Sequence, residues 1–297
     1  MKRSEINKAL KELEAMCREY RCYLPPFCGF TPEQWQSIGH EYDEVRDCML
    51  GWDITDYGLG DFDKVGFSLI TIRNGNRKMP EKYPKVYAEK LLYIKEGQYA
   101  PNHFHWYKTE DIINRGGGNV LIRVYNSLPN EEIDYESDVT VHTDGRTYTV
   151  PAGTQIRLTP GESIHVQQYL YHDFSVEPGT GAVLLGEVSQ CNDDNTDNRF
   201  NPPVGRFPKI EEDEPPYRLL CNEYPATKCG MNGKIDVAAI GEVLIDFAQE
   251  SIDALGYPTM AAHPGGAPCN FLAALSALGM KTAFLGKVGE DDFGMML

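Results

Sequence analysis

No run of about 18 consecutive apolar residues occurs anywhere in the 297-residue chain, so no membrane-spanning helix is predicted. The opening MKRSEINKALKELEA also lacks the apolar centre of a secretory signal. Positive charge is scarce: 28 Lys and Arg stand against 44 Asp and Glu, a formal net charge of −16. A nucleic acid or an anionic membrane demands a basic face, so neither is expected as a partner. A soluble, cytoplasmic protein is expected instead. Cysteine pairs at metal-binding spacing are missing too. The eight cysteines (Cys17, Cys22, Cys28, Cys48, Cys191, Cys221, Cys229 and Cys269) contain no C-x2-C pair, which excludes a zinc framework. In a cytosol they stay as thiols, and a chain this long needs no disulfide scaffold. The hydrophobic fraction of 41% and the charged fraction of 24% are ordinary and predict a packed core. The length allows one large or two modest domains.

What is present is concentrated in residues 96–117, EGQYAPNHFHWYKTEDIINRGG. His103 and His105 stand two apart, so a β-strand points both imidazoles to one face. Glu110 follows close enough to return beside them from a neighbouring turn or strand. Two imidazoles and a carboxylate suit a divalent first-row metal, with a fourth ligand to come from elsewhere. Gly97 and Gly117 complete the spacing G-x5-H-x-H-x4-E-x6-G, the first motif of the cupin superfamily. The second motif is similar from Gly161 to His172, with Gln167 and Tyr169 where the superfamily has Pro and Gly, and Val176 where it has Asn. His165 is a rival fourth ligand, but the spacing favours His172. An isolated H-x-H is more often a solvated strand patch; the matching Glu, glycines and downstream His make this set a metal site.

Taken in order, residues 4–20 predict an amphipathic helix capped by Ser4, with Ile6, Ala9, Leu10, Leu13, Met16 and Cys17 at helical spacing. Pro25 and Pro26 end it. Thr31-Pro32-Glu33-Gln34 then starts a second helix with a capping box. From about residue 50 short strands follow one another, with turns expected at Asn74-Gly75 and Asp144-Gly145. Strands punctuated by Gly, Pro and Asn, without helical patterning between them, mean an all-β sandwich or small barrel. The cupin resemblance implies a double-stranded β-helix, or jelly roll, behind N-terminal helices. Residues 191–225 are polar and Pro-rich. Phe200, Val204, Phe207, Tyr217, Leu219 and Leu220 give them anchors, so an ordered excursion over one end of the barrel is expected. The acidic run Glu211, Glu212 and Glu214 is expected to be solvated.

At residue 226 the texture changes. Residues 226–234 look like a linker, and 235–297 run strand, glycine turn, helix, strand, which is α/β. This tail resembles the N-terminus of ribokinase-like sugar kinases, the fructokinase branch especially. The matches are Gly241-Glu242, Asp246, Gly265-Gly266-Ala267, Asn270, Gly279, Gly289 and Asp291-Asp292-Phe293-Gly294. The resemblance implies that Asp246, Gly265, Gly266 and Asn270 contact a sugar. The sequence stops at Leu297, before any anion-hole glycines, catalytic base or nucleotide site, so phosphoryl transfer is not expected of it. A fragment of this length cannot bury the sheet faces it exposes, and weak stability is expected. It reads as a truncated fusion whose value is contextual, hinting that the first domain handles a sugar.

Residues 1–225 resemble the D-lyxose isomerase family throughout. The similar stretches include TPEQW, LGWDITDYGLGDF, HFHW, EDIINRGGG, GEVSQCNDDNTDNRF and PVGRFPKIEEDEP. The resemblance implies interconversion of D-lyxose and D-xylulose, and of D-mannose and D-fructose, with Mn2+ as the cofactor and a homodimer as the assembly. The reaction needs charge stabilisation on O1 and O2 of an enediolate, from a metal held by His103, His105, Glu110 and His172. It also needs a base within reach of the C1 and C2 protons. Glu187, amid apolar residues of GAVLLGEVS, is the candidate base, since burial there would raise its pKa. Lys90 alternates with Leu92 and Ile94, points inward if they do, and could protonate or steady an enediolate oxygen. A structural Glu187–Lys90 ion pair is the plain alternative. Asp193, Asp194, Asp197 and Arg199 suit either sugar hydroxyls or loop structure. Two other functions stay open on the residues: a non-catalytic metal- or sugar-binding cupin, and a metal-dependent dioxygenase. A phosphosugar substrate would want clustered cations, whereas Lys90, Lys95, Lys108, Arg115, Arg123 and Arg157 are scattered in sequence.

Overall fold

Apolar residues alternate with polar ones along most strands, and this period of two sets the architecture. In the computed structural model, described for residues 1–191, 193, 196–227, 235–253, 255–289 and 294, the chain forms two compact units, Met1–Thr227 and Lys228–Leu297. The first unit opens with helices α1 (Arg3–Glu19), α2 (Pro32–Trp35) and α3 (Asp43–Asp47). Its strands begin β1 (Gly51–Thr55), β2 (Phe67–Arg73), β3 (Tyr87–Ile94), β4 (Tyr99–Phe104), β5 (Glu110–Gly117), β6 (Val120–Ser127) and β7 (Ile133–Asp134). They continue β8 (Val139–Thr143), β9 (Arg146–Val150), β10 (Gln155–Leu158), β11 (Ser163–Val166), β12 (Tyr171–Val176), β13 (Val183–Gln190) and β14 (Arg199–Phe200).

Two antiparallel sheets result. One runs β1-β2-β3-β13-β5-β11-β8-β9; the other runs β10-β6-β12-β4-β14, with β7 paired to β6. Their inner faces share a core that includes Leu92, Ile94, Ile112, Ile122, Val124, Val141, Ile164, Phe174 and Leu185. This is the all-β jelly roll of the cupins, behind N-terminal helices. The Asp144-Gly145 turn joins β8 to β9, and both residues take the positive φ that a tight hairpin demands, 48° and 78°. Asn74-Gly75 does not form the expected turn. It leads into a long connection, and Gly75 is there because its backbone passes so close to the Lys85 carbonyl that a Cβ would lie 1.8 Å from that oxygen.

Helix α1 lies on the outer face of the larger sheet, where Ile6, Leu10, Leu13 and Cys17 pack against Ile54, Ile70, Leu91 and Leu184. Each buried leucine or isoleucine there contributes about 1.5–3 kcal/mol. Ser4 is not the cap. Lys2 holds that position, with its backbone N–H donating to Glu5 Oε2 at 2.7 Å, and Ser4 lies inside the helix, its hydroxyl bonded to Asp213 at 2.7 Å. The acidic run is exposed, as expected, and two of its members also pair with the N-terminal helix. Glu212 pairs with buried Arg3 at 2.6 Å, and Glu214 accepts from Asn7 at 2.6 Å. Carboxylates docked around a helix N-terminus also complement its dipole. Helix α2 has the expected capping box, with Gln34 N–H donating to Thr31 Oγ1 at 3.2 Å, but it is only four residues long.

Described residues of the 191–225 excursion are anchored as expected. Phe200 and Val204 pack on the barrel core, and Leu220 is buried under β1. Asp194 lies outside the described residues.

The second unit, taken by itself, has β15 (Val237–Ile240), β16 (Leu244–Ile252), β17 (Pro258–Gly265), helix α4 (Ala267–Ala277) and β18 (Thr282–Leu285). β15 and β18 pair in parallel, and β16 and β17 form an antiparallel pair, giving the short α/β piece. Most of the linker, and Asp291, Asp292 and Phe293, fall outside the described residues.

Candidate metal centre and active site

The two sheets meet around one polar cluster. His103, near the end of β4, sits opposite His172 of β12 in the ladder, and His105 follows two residues on with the same facing. Between them Phe104 points the other way, into a separate aromatic cluster with Tyr171. The three imidazoles are buried, and their candidate ligand atoms lie within 4.8 Å of one another. Glu110 opens β5 on the facing sheet; its Oε1 is 3.4 Å from His105 Nε2 and 3.2 Å from His172 Nε2. The fold therefore brings together all four residues proposed as ligands.

The donor set fits a divalent cation. Each Nδ1 is engaged by a backbone carbonyl: His103 by Pro101 at 2.8 Å, His105 by Asp197 at 2.9 Å, and His172 by Leu170 at 3.0 Å. Those bonds place the proton on Nδ1 and leave the Nε2 lone pairs for a ligand. The Nε2 atoms of His105 and His172 are buried without a hydrogen-bond partner, a costly arrangement that a bound cation would relieve. Burial, with the neighbouring imidazoles next, pushes His103 well below the usual imidazole range, and burial followed by the Lys108 charge lowers His105. Both rings are thus neutral, as ligands must be. Burial pushes the Glu110 carboxyl up, but Lys108 and then His105 outweigh it and hold it well below the carboxylate range.

Glu187 lies on β13 next to Lys90 of β3 in register, and both are buried. The surroundings of Glu187 are not the apolar ones its sequence neighbours suggest. Its Oε1 accepts from Lys108 Nζ at 2.9 Å and Ser189 Oγ at 3.1 Å, and lies 3.3 Å from Lys90 Nζ. Lys90 shares its inward face with Leu92 and Ile94. The ion pair named as the plain alternative therefore exists, and it sits in the same cavity as the histidines.

Lys108 is the member that sequence reading passed over. It is 2% exposed and bridges Glu110 Oε2, at 2.6 Å, to Glu187. Its one signal was its place inside the H-x-H-x4-E run. Asp197 resolves to loop structure: fully buried, it takes the Tyr107 and Lys108 backbone N–H groups on its carboxylate while its carbonyl orients His105. Arg199 pairs with Glu131 and Glu132 rather than with the cluster. His165 points to the outer face of its sheet, paired with Asp111 at 2.7 Å, so it is no rival to His172.

A jelly roll with three histidines and a carboxylate gathered between its sheets defines a cupin-fold protein able to hold a divalent metal. The family model described as D-lyxose isomerase matches residues 1–224, and the chain belongs to that family. It is 48% identical over 226 residues to the D-lyxose/D-mannose isomerase of Escherichia coli O157:H7, covering 75% of this chain and 98% of that protein. It is 46% identical over 225 residues to the protein of the same description from Serratia proteamaculans, covering 75% and 98%. The first unit is accordingly a sugar isomerase. A second family model, the pfkB family carbohydrate kinase, matches residues 234–297. There the chain is 44% identical over 63 residues to probable fructokinase-6 of Arabidopsis thaliana, covering 20% of this chain and only 16% of that protein.

Proposed function

We propose that the first unit is a metal-dependent aldose–ketose isomerase that interconverts D-lyxose and D-xylulose, and D-mannose and D-fructose, by proton transfer through an enediolate. His103, His105, Glu110 and His172 would hold the ion, with Mn2+ the expected one. The ion, when bound, supplies stabilisation of the negative charge that develops on O1 and O2. Glu187 takes the proton from C2 of the aldose and returns it at C1. Lys90 gives a proton to O1 as the aldose carbonyl is lost and takes one back from O2 as the ketose carbonyl forms. Lys108 holds Glu187 and Glu110 in one hydrogen-bonded chain, so the base stays in a fixed relation to the metal ligands.

The observation that carries this reading is the Glu110–Lys108–Glu187 bridge, with contacts of 2.6 and 2.9 Å. A cupin that only binds a metal or a sugar has no need for a second buried carboxylate tied to its ligand set. The kinship of the second unit to a fructokinase points the same way, because D-fructose is the ketose that the reaction yields from D-mannose.

The test is D-lyxose isomerisation in D2O, with EDTA-stripped protein and with Mn2+ restored. Metal-dependent turnover with deuterium at C1 of the ketose is expected. Turnover without deuterium would keep the isomerase and point to a hydride shift or a shielded proton. No turnover of any free pentose or hexose would sink the reading.

A further inference from the structure

The metal cavity alone offers a sugar little room. It measures about 60 Å³, and away from the ligands its walls join Leu92, Ile112, Phe174 and Leu185 to the polar Thr55 and Asn198. An open-chain pentose or hexose carries a hydroxyl on every carbon beyond C2. A cavity this small cannot hold the whole chain, and hydroxyls buried against its apolar walls would be left short of partners, at a cost in binding.

Beside the metal cavity lies a larger one of about 320 Å³, whose lining sets Asp53, Thr71, Asn74 and Asn76 beside Met49 and Phe207. Two side chains line both cavities, Lys90 and Arg206. Their positions follow from the register. Thr71 pairs with Lys90, and Lys90 pairs with Glu187, so one polar row crosses β2, β3 and β13 from the second cavity to the candidate base. Arg206 reaches the same boundary from the 191–225 excursion. Its Nη2 meets Asp53 Oδ2 at 2.5 Å, and its carbonyl accepts from Thr55 Oγ1 at 2.5 Å. An arginine held this way is a fixed fork of donors, suited to a pair of adjacent hydroxyls.

We propose that the larger cavity beyond Lys90 is the subsite for the distal hydroxyls of the sugar, and that Arg206, anchored by Asp53, is the residue that holds them. The proposal rests on the isomerase reading for its substrate class, polyhydroxylated chains of five or six carbons. C1 and C2 occupy the metal cavity, and C3 onward passes between Lys90 and Arg206.

Calorimetric titration of the Mn2+-loaded full chain with xylitol and with glycerol tests this independently of turnover. Glycerol is long enough for the metal end alone; xylitol spans both cavities. Arg206→Gln is expected to weaken xylitol roughly tenfold or more, the loss of a charged hydrogen-bond donor, and to leave glycerol unchanged. Asp53→Asn, which keeps the arginine and loosens its anchor, moves xylitol in the same direction by less, and Arg206→Lys recovers part of the loss. In turnover assays the Arg206→Gln loss falls on KM for D-lyxose rather than on kcat. Thermal melts and metal content of each variant separate this from misfolding. Equal weakening of both polyols, or of neither, in the folded variants would overturn the subsite. Should the parent chain isomerise no aldose, the isomerase reading falls by itself, and the xylitol–glycerol difference still decides the subsite.

Discussion

The two units are built from similar short strands, yet they bury their apolar residues very differently. In the first, two sheets close face to face and α1 covers the outer side of the larger one, so Ile6, Leu10, Ile54, Ile70, Ile94 and Ile122 have no measurable exposure. In the second, Leu272 is the one apolar side chain under 5% exposed among the described residues, while Ile240, Leu255 and Leu278 are at least 80% exposed. Strand propensity is comparable in both. What differs is how completely the sheets are covered: α4 packs on β15 and β18 yet leaves most described apolar side chains of the second unit exposed, and a sheet stabilises a fold only as far as another element covers its apolar face. The contrast also bears on chemistry, because the buried polar cluster of the first unit depends on a surrounding dry core.

The contrast can be tested experimentally, and the largest effect concerns the site that the core encloses. Stripping the metal with EDTA is expected to abolish isomerisation, with Mn2+ restoring it; activity surviving in metal-free protein would remove the ligand assignment. Next, Glu187→Gln should lower kcat by about 10²–10⁴-fold, the usual share of a general base, while metal content stays unchanged. A kcat within a few-fold of the parent would transfer the base to another group. Third, Leu10→Ala empties a site between α1 and the larger sheet and should cost about 2–5 kcal/mol in denaturant unfolding of the first unit. Finally, Ile240→Thr in the second unit, at 81% exposure, should lie within about 0.5 kcal/mol of the parent. A large cost there would show that β15 is covered in solution. Limited proteolysis of the full chain adds an ordering: cuts within residues 235–289 should precede cuts within the barrel, because fewer buried contacts mean a lower cost of local opening.

Much of the first unit was legible. Alternation and turn residues pointed to a sandwich or small barrel, the cupin resemblance narrowed that to a jelly roll, and the motif spacing picked out the four residues that gather at the candidate metal centre. Lys108 was not legible as a bridging residue, because a lysine next to acidic neighbours reads as a surface charge until two carboxylates are seen to enclose it. Ser4 was misread for a related reason. Serine is a favoured cap, but here the helix begins one residue earlier, and Asp213, far away in sequence, takes its hydroxyl. The acidic run around Glu212 is solvated as read, but its pairing with Arg3 was not legible, because the two are 209 residues apart.

The period-two strands, the Asp144-Gly145 hairpin, the facing of His103 and His105, and the shift to α/β texture near residue 226 are all written in the local sequence. All of these are local: they depend on backbone geometry over a few residues. Which carboxylates meet which cations, and that a second cavity shares Lys90 and Arg206 with the first, emerged only on folding. Tertiary structure also decided that Glu187 lies among ammonium groups instead of aliphatic walls. Such features depend on side chains from strands and loops far apart in the chain, and only sheet register and closure bring them within hydrogen-bonding distance.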